Sequence, residues 1–497
     1  MNPLPRRRHR RLSWLAVPCL LLAGISGCAS VASLSRAETA PAETTSAQST
    51  LAGAADGAHS RDAAPQRLVL ALDGIPYDLF AELQARQLFA GFRPVARMVA
   101  PFPSLSDVSF AAIGGQPPPQ GYQVMRFDAE SNRVVGNTLM SLSTRAHNNL
   151  PSDSSNHSSW HRMAGYMASY HVAIRDLNRI GEEVLDSRKA TFVAYLETSD
   201  AILHTEGREG AIRFLQQLDL FLTDLQQQVH ARTGRELLVD IVSDHGSTQI
   251  KGRNVAIDEQ LRSCRLQRSK ALAGPDDVAY SFAGIIGFVA ITAQPARVES
   301  VARCLSATDG VELVAIQRGD RVAVLSSGGG EAEIFPTPGA AEESYSYRNV
   351  SGDPLQLLEA GATPTTRVFA EQALFRRSLD ARYPDPLRRL WRAFHGAVQE
   401  PSPVLLSLAD GRDAGYRTVR ALAQLRGRSG THGSLTRAAS LGVLTSNWRD
   451  VDDVDSWRAH DVLFGPATVA AVRARSASWI TAGGATTAGP VGAPRSP

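Results

Sequence analysis

Continuous apolar runs, each closed by a turn signal, organise the chain. Arg67 to Leu72 reads Arg-Leu-Val-Leu-Ala-Leu and breaks at Asp73-Gly74, the pattern of a strand buried on both faces. Leu79 to Leu88 follows with helical spacing. The same run-and-break returns at Thr191-Phe-Val-Ala-Tyr-Leu196, at Glu236-Leu-Leu-Val-Asp-Ile-Val-Ser243 and at Pro403-Val-Leu-Leu-Ser-Leu408. Before the Glu236 run, Phe214, Leu215, Leu218, Phe221, Leu222 and Leu225 recur on one helix face across Ala211 to Val229. Strands alternating with helices predict an α/β domain, a three-layer sandwich around a mostly parallel sheet, with its chemistry at the carboxyl ends of the strands.

The stretch 261–380 departs from this grammar. Ile285 to Ile291, a helical pattern from Pro295 to Leu305, Val311 to Ala315, and Arg321 to Leu325 before Ala332 to Ile334 predict a small α+β insert containing a β-hairpin. Ser326-Ser-Gly-Gly-Gly-Glu331 is a loop by composition and lacks the helix start that a phosphate cradle needs. The insert would cap a catalytic domain formed by 66–260 and 381–455. A C-terminal extension, 456–497, turns Gly/Ala/Thr/Pro-rich after about residue 480, a composition expected to be disordered.

The N-terminus changes the picture of where the protein works. Arg6, Arg7, Arg8, Arg10 and Arg11 precede an apolar run from Leu12 to Ile25, too short to span a bilayer. It ends in Leu22-Ala23-Gly24-Ile25-Ser26-Gly27-Cys28, which resembles a bacterial lipobox, with Cys28 as the lipidated residue. Residues 1–28 are therefore read as a lipoprotein signal, placing the mature chain in the bacterial envelope, facing the periplasm and held to the membrane by lipid. Residues 29–65 are rich in Ala, Ser, Thr and Gly and read as a flexible tether. A net charge of +3 carries no nucleic-acid-binding signature. Cys264 and Cys304 are the remaining cysteines of the mature region apart from the anchor. In an oxidising compartment they pair or stay as two buried thiols, and the spacing alone does not choose.

Metal-binding side chains follow the strand ends. Asp73 closes the first strand, Asp200 and His204 follow the second, Asp244-His245-Gly246 closes the third, and Thr431-His432-Gly433 lies after the Pro403 run. Three carboxylates and three imidazoles make up the donor set of two zinc sites. Each piece alone is more often a cap, a turn or a surface residue; together they fall where an α/β sheet carries its site. Between the first two strands, Pro103-Ser104-Leu105-Ser106 supplies a serine that a nearby metal would activate.

In this ordered set the chain resembles the alkaline phosphatase superfamily, and within it the nucleotide pyrophosphatase/phosphodiesterase and phosphonoacetate hydrolase branch. The resemblance spans about residues 66 to 450. It implies an alkaline-phosphatase-like fold and two divalent metal ions, most plausibly zinc. Asp73, Ser106, Asp244 and His245 would hold one, and Asp200, His204 and His432 the other. Ser106 would be the nucleophile that cleaves a phosphoester substrate through a phosphoserine intermediate. The branch commonly carries Asn three residues after the nucleophile, as a substrate contact; here the position is Ser109. Ser106-Asp-Val-Ser-Phe lacks the x-Pro-x-Arg that sulfatases require. Two other classes share the fold, a transferase moving phospho-headgroups and a non-catalytic scaffold, and the complete ligand set speaks against the second. Within the insert, Tyr345 and Tyr347 are candidates to face the substrate.

Overall fold

The computed structural model describes residues 66–136, 150–154, 165, 168–281, 285–359, 363–415 and 430–473. The signal, Cys28, the tether and the end beyond 473 lie outside the described residues. In chain order the α/β part begins with β1 (Arg67–Leu72), α1 (Tyr77–Ala85), β2 (Ala96–Val99), α2 (Ser106–Ile113), α3 (Ser169–Asp186), β3 (Thr191–Leu196), α4 (Thr198–Thr205), α5 (Gly207–Thr233) and β4 (Leu238–Ser243). A second part follows with α6 (Ile257–Ser263), β5 (Gln267–Arg268), β6 (Asp277–Ser281), β7 (Phe288–Ala293), α7 (Val298–Ser306), β8 (Val311–Arg318), β9 (Arg321–Ser326) and β10 (Glu331–Pro336). Then come β11 (Ser344–Ser351), β12 (Thr366–Ala370), α8 (Pro386–Phe394) and β13 (Val404–Leu408), before β14 (Leu441–Ser446), β15 (Val454–Asp455) and α9 (Ser456–Phe464) return to the first part.

The first sheet runs β15-β2-β14-β4-β1-β3. β1 pairs in parallel with β3 and β4 and β2 with β15, while β14 is antiparallel to both neighbours. All six residues of β1 are buried, and its side chains alternate between two cores. Leu68, Leu70 and Leu72 join α1, α3 and α5 on one face. Val69 and Ala71 join Phe110 and Ile113 of α2 and Ala459 and Leu463 of α9 on the other. Helix, sheet and helix thus form the three-layer α/β sandwich. Residues 456–464, placed by the sequence reading in a C-terminal extension, pack into this core as α9.

The second sheet runs β12-β11-β10-β9-β8-β13-β7-β6-β5. Here one expectation is corrected. Pro403 to Leu408 is not a further strand of the parallel sheet, because β13 lies antiparallel between β7 and β8. A run buried on every side is apolar whichever sheet surrounds it, so its composition names neither sheet nor direction. The expected hairpin is present as β9 and β10. A bond between Cys264 and Cys304, with Cα atoms 6.3 Å apart, ties α6 to α7 across 40 residues of sequence. Closing a loop of that length removes about 4 kcal/mol of unfolded-state entropy.

Candidate metal centre

The parallel register brings the site together. Leu72 lies level with Leu196 and with Ser243, so β1, β3 and β4 end at one edge of the sheet and release Asp73, the turn to Asp200, and Asp244 side by side. Gly74 holds φ at +72°, and a Cβ there would stand 2.7 Å from Asp200 Oδ1. Only glycine allows that approach. The Gly74 amide donates to Asp244 Oδ1 at 3.0 Å, and Ser199 Oγ donates to the Asp73 carbonyl at 2.8 Å. Helix α4 sets Asp200 and His204 one turn apart, with His204 Nε2 3.2 Å from Asp200 Oδ2. His432 arrives on a loop from the second sheet, where Gly433 at φ +99° pairs with Ser104 in an isolated bridge.

Ser106 is the first residue of α2, where free amides and the helix dipole favour negative charge. Its Oγ donates to Asp73 Oδ1 at 3.1 Å and lies 3.2 Å from His245 Nε2. His245 Nε2 is 3.5 Å from Asp73 Oδ1 and 3.4 Å from Asp244 Oδ2. Bonds of about 2.1 Å in tetrahedral array place ligand atoms about 3.4 Å apart. Four of the six edges among these atoms, 3.1, 3.2, 3.4 and 3.5 Å, match that spacing.

Two triads can each hold a metal ion: Asp73, Asp244 and His245, and Asp200, His204 and His432. In each, the ligand atoms lie within 4.8 Å of one another. The triads adjoin, since the rings of His245 and His432 stack with centroids 4.1 Å apart. Both rings are turned for coordination. His245 Nδ1 donates to the Gly246 carbonyl at 2.9 Å and His432 Nδ1 to the Ser104 carbonyl at 3.1 Å, leaving both Nε2 atoms unprotonated toward the carboxylates. Among the described residues, Asp200 Oδ1 and Asp244 Oδ2 are buried without a hydrogen-bond partner. Buried carboxylate oxygens are costly unless paired or bound to a metal. The donor set, the ring tautomers and these two oxygens all fit divalent cations.

Protonation follows from the same burial. Desolvation, then the charges of Asp244 and Asp200, push Asp73 well above the usual carboxylate range. Burial pushes Asp244 up to about 8 and His245 down to about 3. Burial opposes ionisation of Asp200 as well, but His204 and His432 outweigh it and hold that carboxyl low. Two of the three carboxyls thus resist ionisation, which marks a site short of positive charge.

Ser109 is fully buried one turn along α2, and its Oγ has no hydrogen-bond partner among the described residues. Tyr345 and Tyr347 do not face the site: they are 4% and 0% exposed, and their hydroxyls donate to Glu343 and Asp353 at 2.8 and 2.6 Å. Their alternation along β11 turned both inward, since residues two apart share a face. One participant has no separate motif of its own. Tyr195, the penultimate residue of β3, donates from its hydroxyl to Asp73 Oδ2 at 2.5 Å and leaves Oδ1 for Ser106. A tyrosine inside the apolar run Phe192 to Leu196, whose buried hydroxyl must find a partner, is the signal that would have found it.

An α/β sandwich with two carboxylate–imidazole triads and a helix-start serine at one sheet edge defines the class of molecule. No family model matches the chain, and no curated protein does. Among solved structures it is similar to human ectonucleotide pyrophosphatase/phosphodiesterase 5, at 13% identity and a TM-score of 0.43, over 80% of this chain and 93% of that one. It is also similar to the murine protein, at 12% identity and a TM-score of 0.44, over 80% and 94%. An inactive variant of the murine protein in complex with AMP matches at 11% identity and a TM-score of 0.43, over 80% and 94%.

Proposed function

We propose that this chain is a phosphoester hydrolase that uses two divalent metal ions, zinc by donor type, with Ser106 as nucleophile. The observation that carries this reading is the convergence of Asp73, Asp244, His245 and Ser106 atoms, four of whose separations are 3.1 to 3.5 Å, beside a second triad. When bound, the two metal ions would neutralise charge growing on the phosphoryl oxygens and favour ionised oxygen nucleophiles. Asp73 holds Ser106 Oγ on one side and Tyr195 holds Asp73 on the other, so the serine oxygen is fixed before substrate enters. Ser106 Oγ forms a bond to phosphorus as the bond from phosphorus to the leaving oxygen breaks, and the serine proton passes to the departing oxygen. Water then attacks the phosphoseryl group, Ser106 regains its proton, and phosphate or a phosphomonoester departs.

The site is proposed to work in the bacterial envelope, facing the periplasm and tethered through lipidated Cys28. The Leu22 to Cys28 pattern supports this, as does the Cys264–Cys304 bond, which suits an oxidising compartment. The test is turnover of paired chromogenic mono- and diesters by the purified chain, with and without chelator, beside metal analysis. Two zinc ions per chain and chelator-sensitive hydrolysis are expected. A zinc-replete, folded protein that hydrolyses neither ester class would refute the reading.

A further inference from the structure

Two loops carry the chemistry to the sheet edge, and one buried cation joins them. Arg389 of α8 is fully buried. Its Nη1 donates to the carbonyls of Pro384 at 2.8 Å and Leu435 at 3.2 Å. Its Nη2 donates to the Pro101 carbonyl at 3.1 Å, Ser104 Oγ at 3.2 Å and Ser440 Oγ at 2.7 Å. Every one of these acceptors is a neutral oxygen, and among the described residues Arg389 makes no direct ion pair. A guanidinium buried in this way costs more than a packed aliphatic side chain, unless its planar fork is needed to fix several acceptors at once.

What it fixes is the join between the serine and the second triad. Pro101 and Ser104 lie on the loop that ends in Ser106; Leu435 and Ser440 follow His432. Ser104 stitches the same two loops directly: its amide donates to the Gly433 carbonyl, its hydroxyl to the Ser434 carbonyl, and its carbonyl accepts from His432 Nδ1. Arg389 binds this stitch from below, and its own helix belongs to the core under the second sheet, through Leu387, Leu390 and Ala393.

We propose that Arg389 is a positioning residue that sets Ser106 against His432, so that the nucleophile of one triad and the imidazole of the other act on the same phosphoryl group. The proposal rests on the hydrolase reading above for its catalytic arm only. A residue of this kind affects kcat through geometry and leaves KM and metal content alone.

The experiment compares the full chain with Arg389→Lys and Ser440→Ala. Lysine keeps the charge but cannot hold five acceptors in a plane. For Arg389→Lys, kcat is expected to fall about 10- to 100-fold with KM within about threefold, the scale of one to three lost hydrogen bonds. Both variants should retain the parent's zinc content. Ser440→Ala removes one acceptor and should lower kcat by about 3- to 10-fold. A second readout needs no turnover. Hydrogen exchange at the Ser104 amide, which donates to Gly433, should quicken about tenfold or more, while the β1 amides keep the parent's protection. Unchanged kcat and unchanged Ser104 exchange in Arg389→Lys overturn the proposal. If that variant does not fold, Ser440→Ala decides by the same two measures. A parent without turnover would sink the hydrolase reading, and the exchange arm would still judge Arg389.

Discussion

Gly74→Ala tests whether the close packing of the two triads has a function. The substitution adds one methyl group and two separable penalties. The first is conformational: at φ +72° an alanine costs about 1–2 kcal/mol. The second is a collision, because the new Cβ would lie 2.7 Å from Asp200 Oδ1, where ordinary contact begins near 3.4 Å. Asp200 must then retreat from a position that its contact with His204 at 3.2 Å defines. Displaced neighbours of a metal ligand typically cost about 10- to 100-fold in affinity. Gly234→Ala is the control, since φ there is +68° and nothing lies within 4 Å of the added Cβ. Both variants should lose about 1–2 kcal/mol in denaturant unfolding of the metal-free protein. Only Gly74→Ala should release one of the two zinc ions to a competing chelator at about 10- to 100-fold lower chelator strength. Equal zinc retention by the two variants would refute the claim that glycine is there to admit Asp200.

Three further outcomes follow from the same geometry. Ser106→Ala should lower turnover by a factor of about a thousand or more while most zinc is retained, because the hydroxyl is one ligand of four; turnover within tenfold of the parent removes the serine from its role. Metal-free protein should lose about 1 kcal/mol of stability between pH 7 and 8 in chemical unfolding. Asp244, raised to about 8 in the folded chain from an ordinary value of 3.8, binds a proton that the unfolded chain does not, so stability falls as pH rises through that window. Zinc-loaded protein should show no such loss, and a flat profile in both forms would contradict the assignment. Reducing the Cys264–Cys304 bond should cost about 4 kcal/mol in unfolding, and a change below about 1 kcal/mol would show that the loop is held without it.

The site was legible in the sequence because parallel strands of equal register end together. Asp73, Asp200 and Asp244 are far apart in the chain, yet each follows an apolar run whose end a turn marks, and the sheet needs no further information to align them. What the sequence concealed depends on pairing between distant segments. β13 has the composition of any doubly buried strand, so its place between β7 and β8 could not be read from it. Arg389 is one of three arginines of α8, with Arg388 and Arg392, and only tertiary packing distinguishes the one that reaches the Pro101 and Leu435 carbonyls. The same holds for Tyr195, whose hydroxyl partner lies just past the end of a neighbouring strand.

The late arrival of β13 bears on how the chain is made. Its partners β7 and β8 are complete by residue 318, and β13 begins at Val404. Until it is synthesised, the second sheet is left as two half-sheets, each with an unpaired inner edge of apolar residues. Such edges pair with other chains when left open. The last strand to enter the second sheet is therefore its keystone, and synthesis that stalls between residues 318 and 404 should yield an aggregating fragment in place of a folded intermediate.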